Sequence, residues 1–179
     1  MLEGFKTLEE GQYTLGYLPR PVSIVCVGDN PFAVSHHMLL SKDPFIYGFS
    51  CYNENYSRKI IEEVKDFSIN FLPIKYAKDI HIVGKTHGNE VNKWNLVNLE
   101  RIKGTAIKSS VITQSLLIYE CVLEDIIKFY DHDLVVGRVI MKHYKKSKLS
   151  PSKVQYTLFM GKNFYTTNKK GWKLTVDEE

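Results

Sequence analysis

Apolar and polar positions fall into short blocks separated by turn residues. Val22-Ser-Ile-Val-Cys-Val27 is a short apolar run closed by Gly28-Asp29-Asn30-Pro31, which predicts a buried strand and then a turn. Phe45-Ile-Tyr-Gly-Phe-Ser-Cys51 follows Asp43-Pro44 and predicts a second strand. Phe67-Ser-Ile-Asn-Phe71 alternates with period two, the signature of a half-buried strand. Leu116–Leu123 and Leu134–Ile140 predict two more, and Val154–Met160 and Phe164–Thr167 are weaker candidates around a turn at Gly161. Helical spacing is rarer. Ile60, Ile61, Val64 and Phe67 recur with charged residues between them, and Asn55 and Ser57 both suit an N-cap. Ala77, Ile80 and Val83 share a stripe that ends at Gly84, and a third short helix is expected over Glu90–Leu96.

Six or seven strands with two or three short helices argue against alternating βαβ units. They predict a mainly β fold, an antiparallel Greek-key-like barrel with flanking helices. No repeat or linker divides the 179 residues, so a single domain over 1–179 is expected.

Composition narrows the classes. The chain is 44% hydrophobic, too much for disorder, and its net charge of +4 permits an anionic ligand without requiring nucleic acid. Cys26, Cys51 and Cys121 form no C-x-x-C, and Cys26 and Cys121 sit in apolar runs, as buried reduced thiols do. The first 20 residues carry Glu3, Glu9 and Glu10 without an apolar block, so no signal peptide is expected. No apolar run reaches the roughly 20 residues of a membrane span, and the expectation is a soluble, cytoplasmic protein. Rossmann, P-loop and G-x-S-x-G patterns are absent, and no histidine spacing fits a metal site, so no metal is expected.

Four segments carry candidate chemistry. Cys51-Tyr-Asn-Glu-Asn-Tyr-Ser-Arg-Lys59 joins a strand to a helix start, where unpaired N–H groups and the helix dipole attract an anion. Asn55 and Ser57 add donors there and Arg58 or Lys59 a charge; the alternative is that Asn55 or Ser57 simply caps its own helix. His36-His37 would point to opposite sides of a strand and line a pocket rather than share a metal. Asp131-His132-Asp133 places an imidazole between two carboxylates, which favours its charged form; the alternative is a polar turn. Lys142–Lys153 is a basic stretch that would suit nucleic acid or an acidic partner, or form a solvated loop.

These segments occur in a recognisable order. Pro19-Arg-Pro-Val-Ser-Ile-Val25, Asn30-Pro-Phe-Ala-Val-Ser35, Asp43-Pro-Phe45, Asn55-Tyr-Ser57 with Asp66-Phe-Ser-Ile-Asn70, Gly84-Lys-Thr-His-Gly-Asn-Glu-Val-Asn-Lys-Trp94 and His132-Asp-Leu-Val-Val-Gly-Arg-Val139 resemble successive motifs of the flavin reductase-like family. That family comprises FMN-binding split β-barrel proteins and includes flavoredoxins. The likeness runs from about residue 19 to 166, leaving 167–179 as a tail. Asn55 stands where many members carry Arg or Lys, and His87, Asn92 and Phe45 also depart from the pattern.

The resemblance implies a homodimer with FMN near the interface, and hydride or electron transfer from NADH, NADPH or a ferredoxin-like protein. It implies that Ser35, His36, His37 and Met38 line the isoalloxazine. Cys51, Asn53, Asn55 and Ser57 would follow the ribityl chain to the phosphate, Lys93 would lend charge, and His132 would act in the cleft on donor or substrate. A non-catalytic FMN-binding protein on the same barrel is the alternative. A basic nucleic-acid adaptor is a third reading, but neither nucleic acid nor a membrane is the expected partner.

Overall fold

The computed structural model describes Gly4, Thr7, residues 17–146 and residues 154–168. A short strand β1 (Arg20–Pro21) leads into β2 (Ser23–Val27), β3 (Asn30–Val34), β4 (His37–Ser41) and β5 (Ile46–Tyr52). Helix α1 (Tyr56–Val64) precedes β6 (Asp66–Phe71), and α2 (Ala77–Lys85) is followed by a 3₁₀ turn at Lys93–Leu96. Then come β7 (Arg101–Lys103), β8 (Ser110–Ile112), the long hairpin β9 (Leu117–Lys128) and β10 (His132–Tyr144), β11 (Leu158–Gly161) and β12 (Phe164–Thr166).

Seven strands form one antiparallel sheet in the order β3-β2-β6-β9-β10-β5-β4. Its two edge strands, β3 and β4, are consecutive in the chain and joined only by Ser35 and His36. The sheet curls until Phe32 of β3 meets Phe49 of β5, ring centroids 5.7 Å apart, so the barrel is shut by side chains and split between its edges. A three-stranded sheet β1-β11-β12 and a pair β7-β8 lie outside it.

Alternation along β2 builds two cores. Val25 and Val27 face the interior with Phe32, Phe49, Phe67, Ile69 and Ile61 of α1. Ile24 and Cys26 face outward against Ile80 and Val83 of α2, Trp94 and Ile112. Both faces of β2 are covered, which is why Ile24 to Val27 reads as an apolar run without alternation. The period-two pattern of β6 predicts one wet face; instead all six residues are buried. Its polar face is dry because β8 covers it: Ser68 donates to the Ser110 carbonyl at 2.6 Å, and the Asn70 carboxamide accepts from Ile112 N–H at 2.9 Å.

Several boundaries differ from expectation. The turn after β2 is only Gly28-Asp29, with Gly28 at φ 56, and Asn30 and Pro31 already belong to β3. Proline is tolerated because β3 is an edge strand. Strand β4 went unread because its Met38, Leu39 and Leu40 are exposed rather than alternating. Helix α2 runs past Gly84 to Lys85, and the expected third helix is only the 3₁₀ turn. None of the helices among the described residues is long and apolar enough to cross a membrane.

Candidate functional site

The start of α1 is the best-organised polar feature at the split edge. Asn55 is extended at φ −63 and ψ 135, and its side-chain oxygen accepts the Ser57 N–H at 2.9 Å. Asn55 therefore caps its own helix, the simpler of the two sequence readings. The cap does not exhaust the site. The first helical bond is Lys59 N–H to the Asn55 carbonyl at 3.1 Å, so the N–H groups of Tyr56 and Arg58 have no acceptor within the helix. Ser57 is only 1% exposed; its Oγ accepts from Asn30 Nδ2 at 2.7 Å and keeps its own hydrogen to donate.

The loop after α2 completes this corner. At Gly88 an added Cβ would lie 1.9 Å from Asn30 Oδ1, so the backbone passes Asn30 at a distance that only glycine permits. Lys93 is buried and donates to the Pro31 carbonyl at 2.9 Å and the Val83 carbonyl at 3.1 Å, stitching the loop to β3 and α2. Burial pushes its ammonium down to about 8. Asn30, Pro31, Tyr56, Ile60, Gly88 and Lys93 all line one cleft of about 640 Å³. Asn30 and Gly88 are site residues without an expected role, and their signals in the sequence are the Asn that opens the β3 segment and the Gly of the loop after α2.

The charges expected to assist are already matched. Arg58 Nε donates to Asp133 Oδ2 at 2.6 Å and its Nη1 to Glu62 Oε1 at 3.0 Å, while Lys59 is bound to Glu54 at 2.9 Å. Any anion at this helix end meets neutral donors and the dipole rather than those two cations.

The remaining sequence candidates divide by strand geometry. Ser35 faces a second cleft, of about 280 Å³, between α2 and the β11–β12 hairpin. His36 is exposed; desolvation, helped by the charges of Arg20 and His132, lowers its pKa. His37 turns to the opposite side, hydrogen-bonds Tyr47 OH at 2.8 Å and meets Phe71 edge-on, and burial pushes it down to about 4. Met38 is exposed on edge strand β4. The Cys51 side chain lies inside the barrel core, its thiol is pushed up to about 12 by burial, and its backbone is what is left to face a ligand.

Asn53 and His132 sit together at the far end of β5. Asn53 Nδ2 donates to the Tyr130 carbonyl at 3.1 Å. His132 pairs in register with Tyr52, their rings 5.7 Å apart, and its Nδ1 lies 3.0 Å from Asp131. Only one of its flanking carboxylates touches it. Asp133, one residue further along β10, points to the other face and holds Arg58. Of the basic stretch, 142–144 are the last residues of β10 rather than a loop, and 147–153 lie outside the described residues. Among the described residues no three His, Cys, Asp or Glu side chains converge as a metal site would require.

The fold and site define a split antiparallel barrel with ligand-sized clefts beside its open edge. The profile of the flavin reductase like domain matches residues 15–167, and the chain belongs to that family. An uncharacterized protein of Pyrococcus abyssi is 26% identical over 124 residues, covering 69% of this chain and 71% of that one. Among solved structures, an FMN-binding protein from Thermus thermophilus with bound p-hydroxybenzaldehyde superposes with TM-score 0.85 at 22% identity, covering 97% of this chain and all 100% of the other. A flavoredoxin from Methanosarcina acetivorans superposes with TM-score 0.79 at 21% identity, covering 97% and 95%. At these identities the structures establish the shared fold.

Proposed function

We propose that this chain is an FMN-dependent oxidoreductase of the flavin reductase or flavoredoxin type. The observation that carries the reading is the corner where Asn30, Ser57 and Gly88 meet at the start of α1. The uncommitted N–H groups of Tyr56 and Arg58 and the hydroxyl hydrogen of Ser57 suit a phosphate there. The glycine lets the loop close on it, and Lys93 fixes that loop. When bound, the flavin supplies the hydride or electron chemistry. The protein's part is to hold it. Ser35 and His36 lie on the only connection between the two edge strands, beside the place proposed for the ring, and Met38 adds apolar surface. His132, its Nδ1 oriented by Asp131, keeps Nε2 for a donor or substrate. NADH, NADPH or a ferredoxin-like protein would supply the electrons.

A homodimer belongs to the same reading. Met38, Leu39 and Leu40 of β4 expose apolar surface on the edge strand, and Tyr52 of β5 does so beside His132; a second copy would cover them. The test uses ligand contrast. Asn55→Ala with Ser57→Ala should weaken FMN far more than riboflavin, since only FMN carries the phosphate. One lost hydrogen bond to a charged group costs about 1.5–3 kcal/mol, roughly tenfold to a hundredfold in Kd. Equal weakening of both ligands would place the phosphate elsewhere. Bleaching of the bound flavin by NADH, NADPH or a reduced ferredoxin then identifies the donor.

A further inference from the structure

A row of cations and rings crosses the outer three-stranded sheet. Arg20 is the register partner of Phe159, and Phe159 of Tyr165, so the three side chains share one face. The Arg20 guanidinium lies 5.6 Å from the Phe159 centroid, and the Phe159 and Tyr165 rings are 5.1 Å apart. Tyr165 continues the row to α2, its hydroxyl 3.3 Å from His81 Nδ1. Phe159, Tyr165 and His81 form a wall of the 280 Å³ cleft that Ser35 also lines. Lys85 and Lys162 are exposed at its rim, Asn163 adds an amide, and no carboxylate among the described residues lines it.

Two facts make this more than a patch of surface lysines. Arg20 Nε and Nη1 are buried and make no hydrogen bond within the described residues. Arg20 does not itself line the cleft, but its guanidinium, stacked on Phe159 and with no acceptor for these two nitrogens among the described residues, sets positive charge behind that wall. The cleft also combines aromatic walls with a rim of one sign of charge, which favours a small organic anion over a neutral molecule or a bare ion.

We propose that the cleft between α2 and the β11–β12 hairpin binds the carboxylate or phosphate group of a small organic molecule, at a subsite separate from the α1 corner. It rests on the flavin reading only in what the subsite is for. Ser35 borders both the cleft and the place proposed for the ring, so an anion held here is presented to the flavin as its partner in electron exchange.

The experiment is a calorimetric titration of the FMN-loaded protein with benzoate, phenyl phosphate and neutral benzyl alcohol. The anions should bind and benzyl alcohol should not, and the tighter of the two identifies the oxyanion. Lys85→Gln with Lys162→Gln, both at exposed positions, should weaken the preferred anion tenfold or more and leave FMN affinity within twofold. Arg20→Gln, which removes the charge behind the Phe159 wall, should weaken the anion by a smaller factor. Failure of both anions to saturate, binding of benzyl alcohol as tight as theirs, or indifference to the lysine substitutions overturns the subsite. So does a parallel loss of FMN in the lysine variant, which would make the cleft part of the flavin site and leave the flavin reading intact. Lysine-dependent anion binding by a protein that takes up no FMN would uphold the subsite and defeat the flavin reading.

Discussion

Asp133→Ala leaves the Arg58 guanidinium buried with only Glu62 as counter-charge. The Arg58–Asp133 pair is 2.6 Å long, with side chains 8% and 5% exposed, whereas Glu62 is 53% exposed. Opposite charges about 4 Å apart attract by roughly 4 kcal/mol at an effective dielectric near 20, and breaking a buried pair from one side costs about 3–5 kcal/mol. Glu62 recovers part of that, so the lower end, about 3 kcal/mol, is the expected loss. It would be a large share of the 5–15 kcal/mol typical of a domain. Arg58→Met with Asp133→Leu removes both desolvation costs and should return to within about 1 kcal/mol of wild type. Urea unfolding followed by tryptophan fluorescence reads both quantities, an unchanged slope confirming that the same transition is compared. A loss under about 1 kcal/mol for Asp133→Ala would show that the pair is not held dry. A double variant as unstable as the sum of the two single ones would show that the two side chains are not coupled.

Two further outcomes are expected. Gly88→Ala should drive the new methyl group into Asn30 and break the Asn30–Ser57 bond; FMN affinity should fall at least tenfold with little loss of stability, and unchanged affinity would remove that corner from the flavin site. His37, held near 4 in the fold against 6.5 unfolded, stays neutral while the unfolded chain takes up a proton, so its contribution is present above pH 6.5 and is lost as the pH falls toward 4. His37→Phe keeps a ring against Phe71 and should lose less stability than wild type between pH 7 and 4.5; equal acid losses would assign the effect to other groups.

How much of this was legible follows from where the information lies. The start of α1 was readable because capping is local: Asn55 and Ser57 are two residues apart. The inward side chain of Cys51 was not expected, although alternation along β5 puts it on the same face as Phe49. The fate of the charges was not readable. Arg58 and Asp133 are 75 positions apart, and only the β5–β10 pairing brings the start of α1 to the strand that carries His132. Likewise Asn30 reaches Ser57 across 27 positions because β2 and β3 lie under α1. Strand β3 escaped notice for a related reason: its proline reads as a turn unless the strand is known to be an edge.

On the proposed reading, that edge is what a split barrel offers a flavin. Asn30 opens β3 and Ser35 follows its last residue, and at about 3.3 Å per residue they stand roughly 17 Å apart. On the proposed reading this distance matches a ligand with a phosphate at one end and a tricyclic ring at the other, joined by a five-carbon chain. A closed barrel would pair the outer edge of β3 with another strand and leave no room. Here β4 pairs with β5 and not with β3, so the outer edge of β3 stays unpaired among the described strands, with α1, the Gly88 loop and α2 arranged beside it. The Arg58–Asp133 pair then has a second consequence. It ties the residue after Ser57 to the residue after His132, so any slippage of β10 that displaces the histidine must also pull on the start of α1. The proposed grip on the phosphate and the proposed contact with the donor are thereby mechanically joined through one buried ion pair.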